Sequence, residues 1–181
     1  MTNQLYIITG GPGVGKTTLL DKLKREGFLT APEEARRIIK EEMMTNGDGL
    51  PWKNKERYAA LMFEASVETY KKIKNAGTSE PVFFDRGLLD TICYMSMENI
   101  PVLQKQEAAA QDLLYNKKVF ILPPWKEIYE TDSERKQNWN EALFTFDKMN
   151  ETYLKYDYTV IEVPKDTLQN RYLFILNQID H

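Results

Sequence analysis

Residues 5–18 read Leu5-Tyr6-Ile7-Ile8-Thr9-Gly10-Gly11-Pro12-Gly13-Val14-Gly15-Lys16-Thr17-Thr18, an apolar run that breaks into glycines and then into Lys-Thr-Thr. A short continuous apolar run ending in Gly-Gly fits a strand buried on both faces better than an amphipathic one. Gly10 to Thr17 satisfies G-x-x-x-x-G-K-[ST], and it lies between that strand and an expected helix from Lys16 to Arg25, where the mechanism of a phosphate loop requires it. Glycines let the backbone turn tightly and direct several N–H groups inward, and the helix adds its positive N-terminal end, so a polyanion fits the concavity. Gly11, Pro12, Gly13, Val14, Gly15, Lys16, Thr17 and Thr18 are the expected nucleotide-binding positions. Lys16 is expected to reach the β- and γ-phosphates, and Thr17 to offer its hydroxyl to Mg²⁺. A bare glycine turn capping a helix would give no reason for Lys-Thr at the helix start.

Downstream, apolar strands alternate with helical stretches. Strands are expected at Phe28 to Ala31, Pro81 to Asp85, Lys117 to Leu122 and Tyr158 to Val163. Helices are expected from Pro32 to about Thr45, Asn54 to Asn75, Leu88 to Met97, Val102 to Leu114, Trp139 to Tyr153 and Lys165 to Gln178. Tyr58, Leu61, Met62 and Ala65 fall at i, i+3, i+4 and i+7, and Trp139, Ala142, Leu143, Phe146, Met149, Asn150 and Tyr153 also step at helical intervals. Leu168, Tyr172, Ile175, Leu176 and Ile179 share one face of the last helix. Five strands in this pattern imply an α/β fold, a mostly parallel sheet covered on both sides. The polar segment from Trp125 to Asn138 reads as an exposed excursion after Pro123-Pro124.

Composition narrows the function. The 181 residues suit one domain, and 24 Lys and Arg against 27 Asp and Glu leave a net charge of −3 with no basic block for a nucleic-acid backbone. One cysteine, Cys93 in an apolar run, and one terminal histidine, His181, leave no Cys/His zinc site and no ready Cys-His or Ser-His nucleophile. No stretch approaches the about 18 apolar residues of a membrane span, and no signal-peptide pattern opens the chain, so a cytoplasmic protein is expected.

Asp85 ends the third strand, where an α/β sheet places groups facing its ligand crevice, and a Walker B role in holding Mg²⁺ follows. Water-activating ATPases commonly set a second carboxylate beside that aspartate, whereas here the next residue is Arg86. Asn116-Lys117-Lys118-Val119 lacks the aspartate of the guanine-reading Asn-Lys-x-Asp pattern. Glu134-Arg135-Lys136 reads either as a phosphate-binding guanidinium with its neighbours or as a solvated helical face.

Gly10 to Thr17, Pro32-Glu33-Glu34-Ala35-Arg36, Phe84-Asp85-Arg86-Gly87, Pro124-Trp125-Lys126-Glu127-Ile128-Tyr129 and Glu134-Arg135 together resemble a family of small bacterial AAA-domain ATPases and kinases. That family is related to the kinase domain of NadR-like proteins and, more distantly, to deoxynucleoside and nucleotide kinases. The resemblance covers nearly the whole chain. It implies a kinase-type P-loop fold with strand order 2-3-1-4-5 and a lid, here about residues 125–138, that closes over ATP. It also implies that Arg135 stabilises the transferring phosphoryl group, that Glu33 accepts the proton of the attacking hydroxyl, and that the turn after Val163-Pro164 cradles adenine. Glu33 equally suits a helix N-terminus, and Arg36 and Arg86 suit either an acceptor's anionic group or a structural ion pair. The loop from Asn46 to Pro51 and the helix after it offer Trp52, Arg57 and Tyr58 as acceptor contacts, although aromatics there commonly only pack.

The expectation is therefore an ATP- and Mg²⁺-dependent phosphotransferase acting on a nucleoside, a nucleotide or a similar small metabolite. The alternative is a P-loop ATPase or nucleotide sensor that regulates a protein partner.

Overall fold

In the computed structural model, residues 4–77, 79–128 and 138–179 are described. The chain divides into two compact units, one of Met1–Ala31, Ser79–Arg86 and Tyr115–His181, the other of Pro32–Thr78 and Gly87–Leu114.

The first unit holds a sheet of β1 (Leu5–Gly10), β2 (Leu29–Ala31), β3 (Val82–Asp85), β4 (Lys118–Leu122) and β5 (Thr159–Glu162). Its order is β2-β3-β1-β4-β5 and every pairing is parallel. All six residues of β1 are buried, as its unbroken apolar run demands of a central parallel strand. Register places Ile8 beside Asp85 on one side and Phe120 on the other, so β3 ends two residues before β1, and β1 and β4 end together at Gly10 and Leu122.

Side chains alternate across β1. Tyr6 and Ile8 join Leu19, Leu20 and Leu23 of α1 (Lys16–Arg25) and Tyr172 and Ile175 of α7 (Leu168–Gln178) in one core. Tyr6 lies 5.8 Å from Phe83 and 6.1 Å from Phe120, ring centre to ring centre. From the opposite face Thr9 meets Met149 of α6 (Trp139–Lys155). That helix opens on reciprocal bonds: the Glu141 amide donates to Asn138 Oδ1 at 3.0 Å and the Asn138 amide to Glu141 Oε2 at 2.8 Å.

The second unit is helical: α2 (Glu34–Met44), α3 (Lys55–Ala76), α4 (Leu88–Met97) and α5 (Gln104–Asp112). Ile38, Tyr58, Met62 and Ala65 form a core there, with Ile39, Leu61 and Tyr94 packed against it. Asn54 caps α3 by accepting the Arg57 amide, and Gly77 ends it in the left-handed conformation. Cys93 is buried on α4.

The expected elements are present with shorter ends, most visibly α5, which spans Gln104–Asp112 rather than 102–114, and α7, which starts at Leu168 rather than 165. Leu143 departs from its expected stripe. Ala142, Thr145, Met149 and Tyr153 carry the buried face of α6, and Leu143, about 100° further round, is exposed. Among the described residues no helix is long and apolar enough to cross a membrane.

Candidate functional site

The loop between β1 and α1 takes a backbone path that favours glycine, with positive φ at Gly10, Gly13 and Gly15. At Gly10, φ is +141° and a Cβ would sit 2.7 Å from the Leu122 carbonyl oxygen, so the chain leaves the sheet hard against β4. At Gly15, φ is +83° in the left-handed region, and this residue caps α1 without any side-chain bond. The N-terminal amides of α1 thus face the loop without a competing side-chain acceptor at the cap.

Lys16 is buried, 6% exposed, and its Nζ lies 3.4 Å from Asp85 Oδ1. Asp85 ends β3, and Lys16 opens α1 after the loop that leaves the adjacent strand β1 two residues beyond Ile8, the partner of Asp85. Thr17 and Thr18, by contrast, are exposed on the first turn of α1. Lys16, Thr17 and Asp85 therefore belong to one unit and lie at the C-terminal ends of its central strands, where they offer an ammonium, a hydroxyl and a carboxylate.

The chain turns sharply after the carboxylate. Arg86 has φ +71°, left-handed for a residue with a Cβ, and its amide donates to the Ile8 carbonyl at 3.0 Å. Asp90 then accepts the Gly87 amide at 2.8 Å and starts α4.

Glu33 and Arg36 lie in the second unit. Glu33 is the extended residue preceding α2, and its carboxylate receives Arg36 Nε at 3.0 Å while the Arg36 side chain is 68% exposed. Glu34 and Arg37 repeat this pairing one residue on, at 2.7 Å. Of the three acceptor contacts suggested by sequence, Trp52 is 62% exposed and Arg57 is held by Asp48 at 2.9 Å. Tyr58 is core, edge-on to Tyr94. Arg135 and Lys136, with 129–137 as a whole, lie outside the described residues, as does His181. Asn116 shapes the start of β4: its Oδ1 accepts the Lys118 amide at 2.9 Å.

One residue at the loop was not singled out from sequence. Arg171 of α7 is 5% exposed, and its Nη2 donates to the Val14 carbonyl at 3.0 Å. Its Nη1 lies 2.7 Å from the point a Gly15 Cβ would occupy, and its guanidinium sits 5.8 Å from the centre of the Trp125 ring. Burial pushes its pKa down. The available signal was its position: Arg171 interrupts the apolar stripe of Leu168, Tyr172 and Ile175.

Comparison with known proteins agrees with this geometry. A family model described as AAA domain matches residues 5–171. No curated protein matches the chain. Among solved structures, NadR protein in complex with NR superposes with a TM-score of 0.70 at 17% identity, covering 97% of this chain and 50% of that one. Deoxyadenosine kinase from M. mycoides with dCMP and dCDP gives 0.57 at 18%, covering 96% and 97%. Thymidylate kinase from Ehrlichia chaffeensis gives 0.62 at 14%, covering 98% of each chain. At these identities the likeness is one of fold, and it is the P-loop kinase fold.

Proposed function

We propose, from the premise that this chain belongs to the AAA domain family over residues 5–171, that it is a phosphotransferase moving the γ-phosphoryl group of ATP to a small acceptor. The acceptor class is a nucleoside, a nucleotide or a metabolite of similar kind. The observation that carries this reading is Lys16 Nζ at 3.4 Å from Asp85 Oδ1, at the mouth of a glycine loop leading into a helix N-terminus.

In this reading the loop amides and Lys16 hold the donor's phosphates, with Lys16 exchanging its carboxylate partner for phosphate oxygen. Thr17 and Asp85 are hard oxygen donors, the kind that suits Mg²⁺, which keeps few protein ligands and takes others from phosphate and water. When bound there, the ion supplies charge neutralisation across the terminal phosphates. Glu33 serves as the base for the acceptor hydroxyl, held ready by Arg36, and Arg36 and Arg86 are candidate contacts for an anionic acceptor. Arg135, outside the described residues, takes from the resemblance the role of supplying charge to the transferring group. Phosphoryl transfer needs mainly alignment and charge stabilisation, so these parts suffice.

Transfer is favoured over hydrolysis because the residue after Asp85 is Arg86 rather than a second carboxylate, so no local base for water stands beside it. The nucleoside class is supported by solved relatives of the same fold whose bound molecules are NR, dCMP and dCDP.

The test is ADP formation from Mg-ATP with a panel of nucleosides, nucleotides and vitamin-like alcohols. Acceptor-dependent ADP release that vanishes in Lys16→Ala supports the proposal. Hydrolysis stimulated only by a protein partner would make the chain a switch, and binding without turnover would make it a module.

A further inference from the structure

We infer that Arg171 is a positioning residue of the phosphate loop: by pinning the Val14 carbonyl it aims the Gly15 amide into the cradle. This rests on the nucleotide-site reading above and deepens it. A trans peptide is planar, so its C=O and N–H point in opposite directions. Val14 O and Gly15 N–H belong to one peptide. With the oxygen drawn out to Arg171 Nη2 at 3.0 Å, the N–H is turned the other way. Freed from that bond, a peptide beside a left-handed glycine can flip, and its carbonyl would then face the phosphate.

The surroundings single out this task. Arg171 is 5% exposed, and its Nε has no hydrogen-bond partner among the described residues. Among the described residues its one side-chain hydrogen bond is to the Val14 carbonyl. The guanidinium is braced by the Trp125 ring at 5.8 Å and abuts Gly15 so closely that a Cβ there would meet Nη1 at 2.7 Å. A charge held this way fixes the peptide and adds positive potential behind the cradle.

The experiment measures binding of Mg-ATP and of inorganic tripolyphosphate by calorimetry to wild type, Arg171→Met and Arg171→Lys, with melting temperatures for each. Arg171→Met keeps the apolar stem of the side chain and removes the buried charge, so its fold is expected to hold. Its affinity for both ligands falls about ten- to hundredfold, the range of one hydrogen bond to a charged group. Arg171→Lys retains an N–H for Val14 and recovers most of that loss. A structural role would instead lower melting temperature and affinity together, without rescue by lysine, and that overturns the proposal. Loss confined to ATP, with tripolyphosphate unaffected, places Arg171 against the base or ribose and also overturns it. Equal affinities in wild type and Arg171→Met overturn it while leaving the nucleotide site standing. Wild type that binds neither ligand refutes the nucleotide site itself, and the inference with it. If Arg171→Met does not fold, Arg171→Leu, likewise uncharged and without a donor, takes its place beside Arg171→Lys and is read by the same outcomes.

Discussion

Asp85→Asn separates the two duties assigned to the carboxylate. At 3.4 Å, the Lys16 to Asp85 attraction is about 5 kcal/mol at an effective dielectric constant of 20. Side-chain exposures of 7% and 10% mean that solvent screens the pair far less than a surface pair. An asparagine can still accept a hydrogen bond from Lys16, so the substitution removes only part of this, about 1–2 kcal/mol. Polyphosphate must take Lys16 from Asp85 in order to bind. Without the carboxylate, that competition is gone and one negative charge no longer opposes the ligand. ATP in excess EDTA is therefore expected to bind Asp85→Asn about five- to thirtyfold more tightly than wild type. Turnover with Mg²⁺ is expected to fall by about a hundredfold or more, because the ion loses an anionic carboxylate and keeps only a neutral amide oxygen. Isothermal titration with and without Mg²⁺ reads both effects. Weaker metal-free binding in Asp85→Asn would refute the idea that Lys16 is shared between carboxylate and phosphate.

Three further outcomes follow from the backbone, a buried phenol and a cap. Arg86 has φ +71°, so Arg86→Gly should be more stable than Arg86→Ala by about 1 kcal/mol, the reverse of the usual order, in urea unfolding. Among the described residues the Tyr94 hydroxyl is buried without a hydrogen-bond partner, and burial, then Glu98 and Tyr58, push its pKa up. Burial does the same for Tyr158, opposed by the Tyr115 amide bond. Because the unfolded chain releases these protons first, their stabilising contribution is intact below about pH 10 and is lost as pH rises beyond it. Tyr94→Phe should be neutral or stabilising at pH 7 and flatten that alkaline decline in melting temperature. Asn138→Ala removes half of a reciprocal cap on α6 and should cost about 1 kcal/mol by denaturant titration.

The glycine loop and its lysine were legible because the spacing itself expresses a mechanism. The five strands were legible because central parallel strands need unbroken apolar runs, as Leu5 to Thr9 and Val119 to Leu122 show. The ends of β2 and β5 were less so, since each has one neighbour and the pairing stops before the apolar run does. Arg171 was out of reach for a different reason. Its partner is a backbone carbonyl 157 residues away, and a carbonyl leaves no mark in sequence. Tyr58 carried two readings, a substrate contact or core, and helix phase with Met62 and Ala65 puts it in the core. Arg86 showed its charge in the sequence but not its left-handed backbone, which arises where the chain must turn within one residue of β3.

The lone thiol has a practical consequence. Cys93 is 1% exposed on α4, inside the helical unit, and the chain has no other cysteine. A disulfide-exchange reagent can therefore reach sulfur only when α4 parts from its neighbours, and its rate of colour release counts those openings one molecule at a time. Timed labelling with saturating nucleotide, and without it, turns this single atom into a gauge of how far ligand at the glycine loop steadies helices that carry none of its residues.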